Sequence, residues 1–183
     1  MSSSYRPLGA AIAALLLAPS ASLAANVTAQ GTVSGSILSA STSATPTFTA
    51  DLDSGDSTPT YTIPMSVQDT RGTGAGWNVT ITSTTFSTGG GSPKTLATSA
   101  SSLTGVVSAC TTGTCTSPAN AQTYPLAVPA GTTAPTAVKL FNTTANNGMG
   151  RFTLTPTIGV SVPQNAFAGT YSSTVTVSIV SGP

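Results

Sequence analysis

The sequence predicts an all-β protein, an antiparallel β-sandwich of about eight to ten short strands. Three observations carry this expectation. Apolar residues recur at every second position through most of the chain and nowhere at the helical period. Turn formers are abundant, with 18 Gly and 13 Pro, and they separate the apolar runs at intervals of about 8 to 15 residues. Finally, 61 of the 183 residues are Ser or Thr, and they fall largely between the apolar positions, where one face of a sheet meets water. Low charge and many hydroxyls also suit a disordered chain, but 39% hydrophobic residues at regular spacing provide a core that disordered chains lack.

At the N-terminus, Arg6 precedes an apolar run from Leu8 to Ala18, and Ser22-Leu23-Ala24 places small residues where a signal peptidase reads. Residues 1–24 are therefore expected to be a removed signal peptide and residues 25–183 a single domain. The apolar run is shorter than the roughly 20 residues that span a bilayer, so the mature chain is expected to hold no integral membrane segment. Strand candidates follow at Thr32 to Leu38 and Thr45 to Leu52. Next, Tyr61, Ile63, Met65 and Val67 alternate with Thr62, Pro64 and Ser66, and Trp77, Val79 and Ile81 alternate with Asn78, Thr80 and Thr82. Further candidates run from Leu103 to Ala109, Thr123 to Val128 and Thr136 to Asn142. Asn146-Asn147-Gly148 then reads as a hairpin turn, because Asn and Gly tolerate positive φ. Beyond it, Phe152, Leu154, Pro156, Ile158, Val160 and Val162 share one face of a long strand, and Tyr171, Ser173, Val175, Val177 and Ile179 share one face of the last.

Charge and residue inventory exclude most chemistry. There is no His and no Glu; four Asp face five basic residues, and only Arg6 of these lies in the expected leader. Without imidazole there is no Ser-His or Cys-His nucleophile, and four carboxylates leave little for paired acid and base work, so no catalytic residue and no enzyme activity is expected. No metal site and no cofactor is expected either; Asp51, Asp53 and Asp56 lack the glycine register and final carboxylate of a calcium loop and read as a solvated turn. A near-neutral chain has no electrostatic footprint for nucleic acid. Cys110 and Cys115 enclose a short Gly-containing loop, and export to an oxidising compartment would pair them as a loop clip.

The most distinctive stretch runs from Asp69 to Ile81, where the Gly-rich turn Asp69-Thr70-Arg71-Gly72-Thr73-Gly74-Ala75-Gly76 delivers the only Trp of the chain onto a strand. Asp69 and Arg71 are placed to pair across that turn. Trp77 has two readings, a core plug between two sheets or a platform that stacks on a sugar ring; in the second, Asp69 and Arg71 form its polar rim and Asn78 is a weaker contributor.

Gly76-Trp77-Asn78-Val79-Thr80-Ile81, together with Ala168-Gly169-Thr170-Tyr171 and the strand Ser172 to Ile179, resembles the WxL domain family of bacterial surface proteins. That family carries two Trp-x-Leu motifs, the first after such a turn and the second in a terminal strand after a Gly-x-Tyr. Here Val79 stands for the first Leu, and Val177 and Ile179 stand where the second Trp and Leu are expected, so the chain resembles a divergent member with a degenerate second motif. The resemblance implies a secreted protein held non-covalently at the cell wall or cell surface, with peptidoglycan or other surface proteins as partners. Pro163 to Tyr171 and the strand that follows are also similar to secreted pilin-like and coat-like sandwiches that polymerise by strand donation. That alternative needs a free N-terminal extension with alternating apolar residues, and Asn26 to Gly35 offers only Val27, Ala29 and Val33, a weak donor.

Overall fold

A computed structural model describes residues 28–183, and the expected signal peptide lies outside the described residues. The chain divides into two units, Met1–Thr32 and Val33–Pro183; residues 28–32 of the first carry no regular structure, and the second carries all the strands described here. These are β1 (Leu38–Ser41), β2 (Thr60–Thr62), β3 (Met65–Asp69), β4 (Trp77–Thr84), β5 (Ser101–Thr112), β6 (Leu126–Ala127), β7 (Ala130–Gly131), β8 (Val138–Asn142), β9 (Gly150–Val160) and β10 (Val175–Ser181). One short 3-10 turn lies at Leu52–Ser54.

The strands form two sheets. In the larger, the order is β1-β3-β9-β5-β6, and β2 also pairs with β9. In the smaller, β4 is central, with β10 along one side and β7 and β8 along the other. Pairing is antiparallel except between β4 and β7, which run parallel over two residue pairs. This is the expected all-β sandwich with one short departure from a purely antiparallel arrangement.

Strand β9 shows why the sequence folds this way. Phe152, Leu154, Pro156, Ile158 and Val160 point into the core and are buried, while Thr153, Thr155 and Thr157 face outward. Met65 and Val67 of β3 and Leu103 of β5 extend the same inner face, and Trp77, Val79 and Ile81 of β4 meet it from the other sheet. Full burial of each such side chain contributes about 1.5–3 kcal/mol, so the inner row of β9 alone holds a large share of the driving force.

Several expected boundaries move for identifiable reasons. Tyr61 to Val67 is interrupted at Ile63-Pro64, yet β2 and β3 keep one continuous register on β9, with Thr62 opposite Thr157 and Met65 opposite Leu154. Pro64 has no N–H for a neighbour on its outer side, and β1 stops at Ser41, opposite Ser66. The strand expected from Thr32 to Leu38 starts only at Leu38, and none forms from Thr45 to Leu52. That segment contains Pro46 and passes as an unpaired strap into the 3-10 turn. The candidate at Thr123 to Val128 shrinks to Leu126–Ala127. Strand β5, in contrast, exceeds its expected span, with Thr104 and Thr111 as extra residues at two register shifts.

The turn at Asn146-Asn147-Gly148 has the positive φ its residues favour, 64° at Asn146 and 71° at Gly148. It does not close a hairpin, because β8 pairs with β4 and β9 lies in the other sheet. It is a crossing between sheets. The expected loop clip is present as a Cys110–Cys115 disulfide, and Thr116 exchanges backbone bonds with Met149 and Gly148 just beyond it.

The two faces of β9 set a contrast that denaturant titration will read: Leu154→Ala is expected to cost about 2–5 kcal/mol, and Thr155→Val on the opposite face to stay within about 0.5 kcal/mol.

Candidate functional site

The turn from Thr70 to Gly76 is shaped by glycine. Gly72, Gly74 and Gly76 all have positive φ, between 64° and 72°, and a Cβ on Gly76 would meet the Thr144 carbonyl oxygen at 2.8 Å. The path is pinned by a two-pronged ion pair. Arg71 donates from Nε to Asp69 Oδ1 at 2.9 Å and from Nη2 to Asp69 Oδ2 at 2.9 Å, and its backbone N–H donates to the same carboxylate at 3.2 Å. The Asp69 side chain is almost wholly buried, and that of Arg71 is 16% exposed. The hydrogen bond to Asp69 holds the guanidinium pKa above its ordinary value; burial opposes this and the carboxylate charge adds to it.

Arg71 reaches further, donating to the Gly76 carbonyl at 2.9 Å and to Ser181 Oγ. Asn78, itself buried, donates from Nδ2 to the Gly182 carbonyl at 2.9 Å, and Gly182 N–H donates to Gly76 at 3.1 Å. The structure therefore brings Asp69, Arg71 and Asn78 together as a lock that ties the end of β10 to the turn before β4.

Trp77 lies behind this lock with no exposed surface. Its ring stacks on Phe141 at 5.5 Å between centroids and tilts against Phe152 at 6.4 Å. The indole N–H donates to the Gly148 carbonyl at 2.8 Å, and a Cβ on Gly148 would stand 2.7 Å from that nitrogen. The expectation of a stacking platform is corrected here: both faces of the indole are taken by protein, so Trp77 is the core plug, and its expected rim is structural. Arg71→Gln is expected to lower stability by about 2 kcal/mol, because it leaves the Asp69 carboxylate buried without its partner. Trp77 emission in that variant should stay blue-shifted and insensitive to iodide.

The acidic residues that vaguely suggested calcium cap turns instead. Asp51 accepts from Asp53 N–H at 3.0 Å and Asp56 from Gln164 N–H at 2.8 Å. Among the described residues no group of three or more His, Cys, Asp or Glu gathers to hold a metal ion.

Two surfaces remain that could meet a partner. The first is the outer face of the larger sheet. Ser41, Ser66, Thr153 and Ala109 stand in one cross-strand row, Thr62, Thr157 and Gly105 in another, and between them Thr155 lies opposite Val107. The hydroxyls of Thr62, Ser66, Thr153, Thr155 and Thr157 make no hydrogen bond within the described residues; at Thr157 it is the carbonyl that accepts from Thr104 Oγ1, at 3.1 Å. Val107 beside them is 69% exposed. The second is an apolar cleft of about 900 Å³, where the strap from Thr42 to Leu52 faces Val175 and Val177 of β10. Its aromatic wall is Phe48, stacked on Tyr61 at 6.0 Å and edge-on to Phe86 at 5.4 Å. Sequence reasoning found the hydroxyl face through its alternation. It missed the cleft, for which Pro46 within the expected strand was the available signal.

Burial pushes the Tyr61 pKa up from 10.0 to about 12. Between those values the unfolded chain gives up the proton while the folded chain keeps it. The contribution is therefore full below about pH 10 and is lost as pH rises toward 12, amounting to at most about 3 kcal/mol. Tyr61→Phe should flatten that alkaline decline in denaturation measurements and remove a phenol titrating near 12.

The two-sheet sandwich presents a hydroxyl-rich outer face, with the exposed Arg151 at one end of the β9 row. The profile of the WxL domain, described as surface cell wall-binding, matches residues 25–183. The chain belongs to the WxL domain family and is a cell-surface, wall-binding protein. No curated protein and no solved structure gives a match.

Proposed function

We propose that this protein attaches non-covalently to the glycan strands of the cell wall through the outer face of its larger sheet, and that it does so by binding alone. The observation that carries this reading is the set of unengaged hydroxyls on Thr62, Ser66, Thr153, Thr155 and Thr157, held in register on adjacent strands. Neighbouring strands lie about 4.8 Å apart and alternate residues about 6.8 Å apart, so the face is a two-dimensional array of donors and acceptors. A polysaccharide offers the same groups along its length. Val107 and Ala109, next to Thr155 and Thr153, give the C–H faces of sugar rings an apolar patch to cover.

Peptidoglycan is the glycan this reading names, since the family is wall-binding. Export is supported by the apolar leader and by the start of the family match at residue 25, one past the expected cleavage. The absence of His and Glu supports binding over catalysis. With five basic and four acidic residues in the whole chain, attraction to anionic wall polymers contributes little, so attachment is expected to be nearly independent of salt.

Co-sedimentation with purified cell walls tests the proposal. The protein should pellet equally at low and high salt. Replacing Thr153, Thr155 and Thr157 together by Val keeps strand propensity and removes three hydroxyls; pelleting should fall at least tenfold while the denaturation midpoint changes little. Retention in the supernatant by the unaltered chain would sink the reading.

A further inference from the structure

The larger sheet has an empty strand position. Among the described residues, strand β2 pairs on one side only, with β9. Its other edge would be the continuation of β1, but β1 ends at Ser41 and the chain leaves as the strap. From Ser43 to Ala50 the strap makes no backbone-to-backbone hydrogen bond within the described residues; its local ties are Thr42 Oγ1 to the Pro64 carbonyl at 2.7 Å and Ala44 N–H to Thr42 Oγ1 at 3.1 Å. Across the cleft, β10 also pairs on one side only among the described residues, with β4. The cleft of about 900 Å³ therefore lies between strand edges with free N–H and C=O groups, over an apolar floor that includes Tyr61, Ile63 and Phe86. An open edge beside an apolar floor is a template for an added strand.

The same chain carries a segment with the matching pattern. Val27, Ala29, Gly31, Val33 and Gly35 alternate with Thr28, Gln30, Thr32 and Ser34. Residues 28–36 are exposed, and Val33 is 99% exposed, an apolar side chain with no partner among the described residues. Neither this arm nor the cleft lining contains a charged residue, so nothing opposes their association. The arm is rooted where Ser36 N–H donates to Thr70 O at 2.8 Å. That root is at the Asp69 end of β1, and the cleft opens beyond the Ser41 end, so β1 itself stands between the arm's root and the cleft of the same molecule.

We propose that the arm of one molecule, residues 26–35, enters the cleft of a second copy as an added strand beside β2, with Val27, Ala29 and Val33 facing the apolar floor and the strap displaced outward. Repetition of the contact is head to tail, so it links copies one after another. This goes beyond wall attachment and does not rest on it.

Two preparations of the chain decide it, one with Val33→Cys and the other with Val175→Cys or Val177→Cys, mixed under mild oxidation. Cys110 and Cys115 are already paired and leave no competing thiol. A disulfide-linked heterodimer is expected from at least one mixture, and it can form only between molecules. Sedimentation velocity should show concentration-dependent growth of the unaltered chain, with Val27→Asp plus Val33→Asp raising the half-association concentration at least tenfold. Because Val33 is solvent-exposed, the Asp variant is expected to fold normally, and near-UV circular dichroism checks this. Absence of any crosslinked heterodimer in the mixtures would overturn the proposal. The Asp variant should still pellet with cell walls and the triple Val variant should still self-associate, so failure of one reading is separable from failure of the other.

Discussion

Everything in this protein hangs on the two-faced character of β9. Its even-numbered residues from Phe152 to Val160 make the floor of the core, and its odd-numbered threonines make the centre of the outer face. Because side chains alternate strictly along a strand, a slip of one residue would expose the core row and bury the hydroxyls. Both neighbours are held to the same register, β3 and β2 on one side and β5 on the other. Core stability and surface chemistry are thus set by one constraint. A substitution that shifts the strand would damage both together.

The second element of the structure, the Trp77 plug, joins the sheets. Trp77 starts β4 in the smaller sheet, but its indole rests on Phe152 of the larger and donates to Gly148 in the crossing between them. Gly148 fits only because it lacks a Cβ. The Asp69 and Arg71 pair fixes the other side of the same corner and reaches Ser181 at the end of β10. Charge is scarce in this chain, and the one ion pair among the described residues sits at a partly buried structural position. Such a pair is costly to break and adds little by itself to stability, which suits a role in fixing a single geometry.

This explains how far the sequence was legible. Period 2 identified the strands, the core rows and the hydroxyl face, because alternation is local information. The turn chemistry at Asn146 to Gly148 was visible for the same reason. Whether that turn joined neighbours in one sheet or crossed between two was not, since sheet membership depends on pairing with β4 and β3, distant in sequence. The role of Trp77 was open for a similar reason: a Trp on an alternating strand is compatible with either face of a sandwich, and Phe141 and Gly148, which enclose it, lie more than sixty residues away. The strap was misread as a strand because it has apolar residues at strand-like spacing, Phe48 and Leu52 among them, but no partner strand beside it.

The missing partner also connects the two proposed surfaces. A strand added beside β2 would place its apolar residues in the cleft and its alternate residues on the outer face of the larger sheet, since the pleat allows no other arrangement. In the arm those alternate residues are Thr28, Gln30, Thr32 and Ser34, three hydroxyls and an amide without charge. The incoming arm would therefore extend the array that contains Thr62 and Thr157 by one more row of the same chemistry. Assembly and wall attachment would then reinforce one another, because each added copy presents its own hydroxyl face and enlarges that of its neighbour. Hydrogen bonds that already hold single molecules add to one another when many are linked in one body. A chain with few charges and no exposed aromatic platform at Trp77 gains affinity for a repetitive polymer most readily by becoming repetitive itself.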